Sequence, residues 1–240
     1  MIYLMSDIHG QYDRYVKMLE KISFNENDKL YVLGDAIDRG PDSLETLLDI
    51  MERDNVEMFL GNHEHMMLTF LDGSDRESWF YGVNGGRITY EQFMSLDKGM
   101  QNKVVDYLLY HTTLKKDLNF EKVRYILSHT SAIDNGTDMY MKDYANDLMA
   151  IQDFIWNQGR FNIDSIPNLP NVEKETVFIS GHIITRRLKD DDEIFAMSFH
   201  NNYSWIDIDC GCAMGSDEYG YLSTLAINDE GDIESIHYIR

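Results

Sequence analysis

The stretch Gly34-Asp35-Ala36-Ile37-Asp38-Arg39-Gly40 follows directly on the apolar run Leu30-Tyr31-Val32-Leu33, the pattern of a loop leaving the end of a buried strand. It holds two carboxylates three positions apart and then a guanidinium, framed by glycines that let backbone approach a ligand closely. A loop so charged, directly off a core strand, is rarely a plain connector. Its residues suit a bridging metal carboxylate, an orienting carboxylate and a phosphate-gripping arginine. Whether they serve that way depends on what the rest of the chain supplies.

Upstream, residues 2–5 have the pattern of a short buried strand that runs into Ser6-Asp7-Ile8-His9-Gly10. Tyr12, Tyr15, Val16, Leu19 and Ile22 then fall on one face at helical spacing. Downstream, Pro41 and Asp42-Ser43 suit a helix start, with Leu44, Leu47, Leu48 and Met51 as its apolar face. Val56–Leu60 is a third strand ending in Gly61-Asn62-His63-Glu64, and a helix with Met66, Met67, Phe70 and Leu71 follows. Strand-helix-strand-helix-strand with short connections argues for parallel pairing in an α/β core. Ligands of such sheets sit outside the carboxyl ends of the strands. Asp7 with His9, Asp35 with Asp38, and Asn62 with His63 are therefore expected on one edge.

The middle is less regular. Residues 72–86 form a loop with Trp79, Phe80 and Tyr81, residues about 89–110 are expected to be helical, and Val123–Leu127 is a strand ending at Ser128-His129. Pro167 and Pro170 punctuate a further loop, and Thr176–Ile179 is a strand ending at Gly181-His182. From about residue 193 short alternating segments, near 193–197, 203–208, 221–227 and 233–239, predict a second, largely antiparallel set of strands packed on the first sheet. No internal repeat or linker is evident, so residues 1–240 are expected to form a single domain.

At 240 residues, with 43% hydrophobic and 26% charged content, the chain is composed like a soluble globular protein. No apolar run approaches the roughly 18–20 residues that span a bilayer. The first five residues are too short for a signal-peptide core and lack a basic flank. Cys210 and Cys212, one residue apart, do not form a disulfide framework. A cytoplasmic protein is expected. The net charge of −21 disfavours nucleic acid and anionic membrane as partners. An anionic phosphate substrate would then need a locally positive site, which bound divalent cations would provide.

Taken singly, a histidine such as His129 is most simply a hydrogen-bonded core or surface residue, and an aspartate after a strand is a turn or helix cap. Asp7, His9, Asp35, Asn62, His129 and His182, all placed just after predicted strands, make a different case. Carboxylate, imidazole and amide oxygen without thiolate suit divalent Mn, Fe, Zn, Ni or Co. The number of ligands fits two ions sharing one carboxylate, an arrangement that can clamp a phosphate and acidify a bridging water. Other features carry less. Gly82–Gly86 lacks the ending of a nucleotide-binding loop, no Gly-x-Ser-x-Gly elbow occurs, and Met66-Met67 suits a helix core.

Ser6-Asp7-Ile8-His9-Gly10, Gly34–Gly40 and Gly61-Asn62-His63-Glu64 resemble the three signature motifs of phosphoprotein phosphatases in the calcineurin-like metallophosphoesterase superfamily. Ser128-His129 and Gly181-His182 are similar to its two distal histidine motifs, and Ile206–Gly211 to its near-terminal strand and turn. Asn62–Met67, Asn84-Gly85-Gly86 and Ile155-Trp156-Asn157 resemble most the compact bacterial and phage serine/threonine phosphatases of the bacteriophage lambda type. The resemblance implies an α/β fold, a four-layer αββα sandwich with two mixed β-sheets. It implies two divalent metal ions, manganese first among them. Asp7, His9 and Asp35 would hold one ion, and Asp35, Asn62, His129 and His182 the other. His63 would be the general acid, Asp38 its support and Arg39 a phosphate ligand. The implied reaction is hydrolysis of phosphoserine or phosphothreonine in proteins, by direct attack of a metal-bridging hydroxide.

Two departures stand out. Ser6 occupies a position where the family has Gly, a small-for-small change expected to leave the metals alone. The family's second phosphate-binding arginine falls here on Gln158, so either Arg160 takes up substrate binding or the grip is weaker. Two other readings compete: a dinucleoside polyphosphate hydrolase with the same metal site, acting on a small phosphorylated substrate, and a catalytically silent binding module that keeps only the fold.

Overall fold

A computed structural model describes residues 1–75, 77–80, 83–130, 136–156, 172–198, 201–214 and 220–240. The amino-terminal part alternates β1 (Ile2–Met5), α1 (Tyr12–Lys21), β2 (Lys29–Val32), α2 (Ser43–Glu52) and β3 (Val56–Met58). The three strands pair in parallel, with Ile2 beside Lys29 and Leu30 beside Val56. Three helices follow: α3 (Asn62–Asp72), α4 (Gly86–Ser95) and α5 (Lys98–Tyr110). The stretch expected to be helical over about 89–110 is divided between α4 and α5. Leu96 takes an extended backbone, and the Asp97 carboxylate accepts the Met100 N–H at 3.0 Å to start α5 afresh.

Next come β4 (Thr113–Asn119), β5 (Val123–Ser128), β6 (Met139–Tyr140), the short α6 (Gln152–Ile155), β7 (Glu175–Ser180), β8 (Phe195–Ser198), β9 (Tyr203–Asp207), β10 (Leu222–Ile227) and β11 (Ile233–Ile239). They complete two mixed sheets, ordered β11-β10-β1-β2-β3 and β6-β4-β5-β7-β9-β8. The four carboxyl-terminal strands therefore do not form one antiparallel set. The β10–β11 pair extends the first sheet antiparallel to β1, whereas β9 runs parallel to β7 in the second, with β8 antiparallel at its edge. Alternation along a strand fixes which faces are apolar, but not which open edge the strand will join.

Side-chain alternation places each layer. Leu4, Tyr31, Tyr125, Leu127, Val177, Ile179, Ile206, Leu225 and Ile227 fill the space between the two sheets. Their strand neighbours Tyr3, Met5, Leu30 and Val32 point the other way, onto Met18 and Leu19 of α1, Leu47 of α2, Met67 of α3 and Leu108 of α5. On the outer side of the second sheet Ile126, Phe178, Tyr203 and Trp205 form a smaller cluster. Both cysteines are buried and free. Among the described residues no helix is long and apolar enough to cross a membrane.

Leu127 is fully buried between the sheets, just before the His129 turn. Leu127→Ala should destabilise the fold by about 2–5 kcal/mol, the range for truncating a packed core leucine. A urea midpoint shifted accordingly at constant slope is the expected result.

Candidate metal centre

The ends of β1, β2 and β3 lie side by side, and pairing between the first two continues beyond the strands. Asp7 N–H donates to Gly34 C=O at 3.1 Å, His9 N–H to Asp35 C=O at 2.9 Å and Gly10 N–H to Ala36 C=O at 2.7 Å. The second sheet reaches the same place. His129, just after β5, places Nδ1 2.7 Å from Leu33 C=O, and His182, after β7, donates its N–H to Asp7 Oδ2 at 2.9 Å. Close approach demands glycine at these crossings. A Cβ at Gly61 would lie 2.2 Å from Asp35 Oδ1, and one at Gly181 would lie 2.1 Å from Asp7 Oδ2.

Nine non-glycine residues among those described have a left-handed φ, and six of them are Asp7, His9, Asp35, Asp38, Arg39 and His182. Such a backbone costs an L-residue roughly 1–2 kcal/mol. It persists where surrounding contacts over-determine it, and that happens preferentially at functional sites.

Asp35 stands at the centre. Its Oδ2 is 3.8 Å from His9 Nε2 and 3.8 Å from His63 Nε2, while Oδ1 is 3.4 Å from His129 Nε2. Two sets of ligand atoms close enough to share an ion meet on it, His9-Asp35-His63 and Asp35-His129-His182. Asn62 Oδ1 joins the second, 3.0 Å from His129 Nε2 and 2.9 Å from His182 Nδ1. Asp7 reaches toward the first, with Oδ1 3.8 Å from His9 Nε2. Its Oδ2 is taken by the His182 amide and by the Ser6 hydroxyl. Ser6 is thus in contact with a candidate ligand. His63 Nε2 lies where either a ligand or a proton donor could act.

Backbone carbonyls set the ring tautomers. His9 Nδ1 is 3.0 Å from Ile37 C=O, and His129 Nδ1 meets Leu33 C=O. With the proton on Nδ1, each ring turns the lone pair of Nε2 toward Asp35, the arrangement of a metal-binding histidine. Burial drives the titrations in opposite directions. Asp7 and Asp35 are raised well above the usual carboxylate range, first by burial and then by neighbouring carboxylates. His9, His129 and His63 are pushed well below theirs, mainly by burial. Crowded carboxylates beside imidazoles that resist protonation form a donor set suited to a divalent cation. The residues present fit such ions.

Beside them stands a hydrogen-bonded pair. His63 Nδ1 is 2.7 Å from Asp38 Oδ2, which also accepts the indole N–H of Trp79 at 2.8 Å; Thr89 Oγ1 donates to Asp38 Oδ1. Burial pushes Asp38 up to about 7 against these donors. Arg39 Nη2 approaches His63 Nε2 at 3.0 Å, and its Nη1 approaches His9 Nε2 at 2.7 Å. Asp7, Asp35, Arg39, Asn62 and His182 line one cleft of about 250 Å3.

Every candidate named from sequence thus comes to one place, except Arg160, which with Gln158 lies outside the described residues. Sequence reasoning missed three supporting residues. Trp79 and Thr89 reach Asp38 from a loop and a helix some 40–50 positions away, and no spacing rule announces that. Glu64 did carry a signal, three residues after Gly61 at a helix start. Its Oε2 accepts Gly61 and Asp35 N–H, both at 3.0 Å, and its Oε1 accepts Ala36 at 2.9 Å and Ile37 at 3.2 Å.

The family model for calcineurin-like phosphoesterases matches residues 1–220. A symmetrical bis(5'-nucleosyl)-tetraphosphatase of Buchnera aphidicola subsp. Acyrthosiphon pisum (strain Tuc7) is 33% identical over 132 residues, 53% of this chain. That match spans 43% of the relative's length, less than half of it. Serine/threonine-protein phosphatase 2 of Escherichia coli (strain K12) is 26% identical over 186 residues, 76% of this chain and 79% of its own. In fold, the chain is similar to a cold-active protein-tyrosine phosphatase of a psychrophilic Shewanella. The TM-score is 0.60 at 18% identity, covering 95% of this chain and 75% of that one.

Glu64→Gln would keep one acceptor oxygen for four amides and strand two buried N–H groups. At about 1–3 kcal/mol for each unsatisfied donor, the variant should lose roughly 2–6 kcal/mol of stability in urea unfolding. A loss within about 0.5 kcal/mol would mean that the loop holds itself.

Proposed function

The chain belongs to the calcineurin-like phosphoesterase family, and from that premise we propose that it hydrolyses phosphoserine or phosphothreonine in proteins. It is a metal-dependent phosphoesterase. The observation that carries the finer reading is the His63–Asp38 pair, with His63 Nε2 3.8 Å from Asp35, the carboxylate on which both sets of candidate ligands meet. A serine or threonine alkoxide is a poor leaving group, so its departure needs a proton delivered as the P–O bond breaks. A phosphoanhydride releases a far less basic oxygen and needs that help less.

On this reading Asp7, His9 and Asp35 would hold one divalent ion, and Asp35, Asn62, His129 and His182 would hold the other, with manganese as the first candidate. Two such ions, when bound, clamp a phosphate and lower the pKa of a water held between them. The chain's own groups do the remainder. Arg39 offers two guanidinium N–H groups to phosphate oxygens. Its present bond to His9 Nε2 cannot coexist with an ion on that nitrogen, so Arg39 must turn toward the substrate. His63 delivers a proton from Nε2 to the leaving oxygen. Asp38, held by Trp79 and Thr89, keeps the other ring proton on Nδ1 and steadies the imidazolium before transfer.

The 26% identical serine/threonine-protein phosphatase 2 supports this substrate class over most of both chains. Hydrolysis of a dinucleoside polyphosphate is the second reading, favoured by the name of the 33% identical relative. A phosphopeptide and diadenosine tetraphosphate, assayed with equal manganese, separate the two. Faster turnover of the phosphopeptide is expected, and much faster turnover of the dinucleotide would overturn the proposal. No turnover of either, nor of p-nitrophenyl phosphate, would leave the silent binding module.

His63→Asn should lower phosphopeptide turnover by about 100-fold or more while metal content by elemental analysis stays near that of the unaltered protein. Loss of both together would make His63 a ligand.

A further inference from the structure

The candidate cleft has a second cation that neither the motifs nor their spacing announced. Arg187 lines the same 250 Å3 space as Asp7, Asp35, Arg39 and His182. It ends a short 3-10 turn, Thr185–Arg187, that starts three residues after His182. The turn is fixed from below. Thr185 N–H donates to Asp209 C=O at 2.8 Å, Arg187 N–H to Ile184 C=O at 2.8 Å and Lys189 N–H to Thr185 C=O at 3.0 Å. Arg186, its neighbour, turns away and pairs with Asp192 at 3.1 Å. Among the described residues no hydrogen bond or ion pair engages the Arg187 guanidinium. In a chain with 42 acidic and 21 basic residues, an arginine that no described carboxylate pairs with stands where an anion must enter.

We propose that Arg187 is a second phosphate-binding residue, gripping the substrate phosphate together with Arg39. The inference deepens the proposed function and rests on that reading of the site. Two guanidinium groups can share the non-bridging oxygens of one phosphate, each through charge-assisted hydrogen bonds. The candidate ligands Asp7 and Asp35 make the cleft acidic, and a cation that no described residue engages is the one available to an incoming anion. Arg187 is exposed, and its guanidinium bonds to no described residue that its removal would strand, so its substitution should leave the fold intact.

The test uses the manganese-loaded full chain with p-nitrophenyl phosphate as substrate and inorganic phosphate as competitive inhibitor. Arg187→Ala should raise KM and the phosphate inhibition constant together, each by about 10-fold or more, with the greater part of the loss in KM rather than kcat. Arg187→Lys should recover part of it, and Arg186→Ala should match the unaltered protein. Metal content and Tm should not move. An inhibition constant within twofold of the unaltered protein would overturn the proposal, as would an effect confined to Arg160→Ala. Should the protein turn over no phosphomonoester, the functional reading fails by itself. Calorimetric binding of inorganic phosphate then still decides: weaker binding by Arg187→Ala supports the proposal, and equal binding overturns it.

Discussion

Two oxygens of one buried carboxylate receive the amides of Asp35, Ala36, Ile37 and Gly61, and the geometry of the site depends on that junction. Glu64 sits in the first turn of α3, where the helix field also favours a negative group. From there it ties the loop after β2 to the segment after β3. The tie makes the strained backbone of Asp35 and Asp38 affordable, because an amide already aimed at an acceptor resists relaxing to a commoner φ. It also places His63, whose N–H donates to Asp35 Oδ1 at 3.0 Å. Burial raises Glu64 to about 7, while the amide donors pull the other way.

The amino-terminal half was legible because its signals were local. Leu30-Tyr31-Val32-Leu33 announced a strand, Gly34–Gly40 a charged loop at its end, and the next two units repeated the logic. Legibility fell where partners were distant or polar. Lys115-Lys116-Asp117 looks like a solvent-facing stretch, yet it lies in β4, and Lys115 is fully buried with its ammonium 2.6 Å from Asp117. A buried charge satisfied two residues along the same strand leaves no apolar periodicity to find. The destination of β10 and β11 was hidden for another reason: both sheets offered an edge. In the site, the strand-end residues could be named from position, whereas Trp79 and Thr89 could not, since they meet Asp38 only through tertiary packing.

The two sheets contribute unequally to the cleft. Asp7, His9, Asp35, Asn62 and His63 come from the edge of the first, and His129 and His182 from the second. The apolar layer that includes Leu4, Leu127 and Ile179 therefore does more than bury surface. It sets the distance between the two groups of candidate ligands, and packing at interior density allows little slack. Net charge bears on this less than its size suggests. Charges beyond about 10 Å are screened at moderate salt, so an approaching phosphate responds to what lines the cleft.

The pairing that runs past the ends of β1 and β2 has a kinetic side. Loops that carry chemistry usually belong to the least stable part of a protein and open independently of the core. Here the amides of Asp7, His9 and Gly10 are spent on the carbonyls of Gly34, Asp35 and Ala36, and the Gly40 amide returns to His9 C=O at 2.9 Å. Neither loop can detach without freeing the other, and both continue strands in the centre of a sheet. The segment that would ordinarily fray first is thus enrolled in the last cooperative unit to unfold, and its amides should exchange with solvent at the pace of the core.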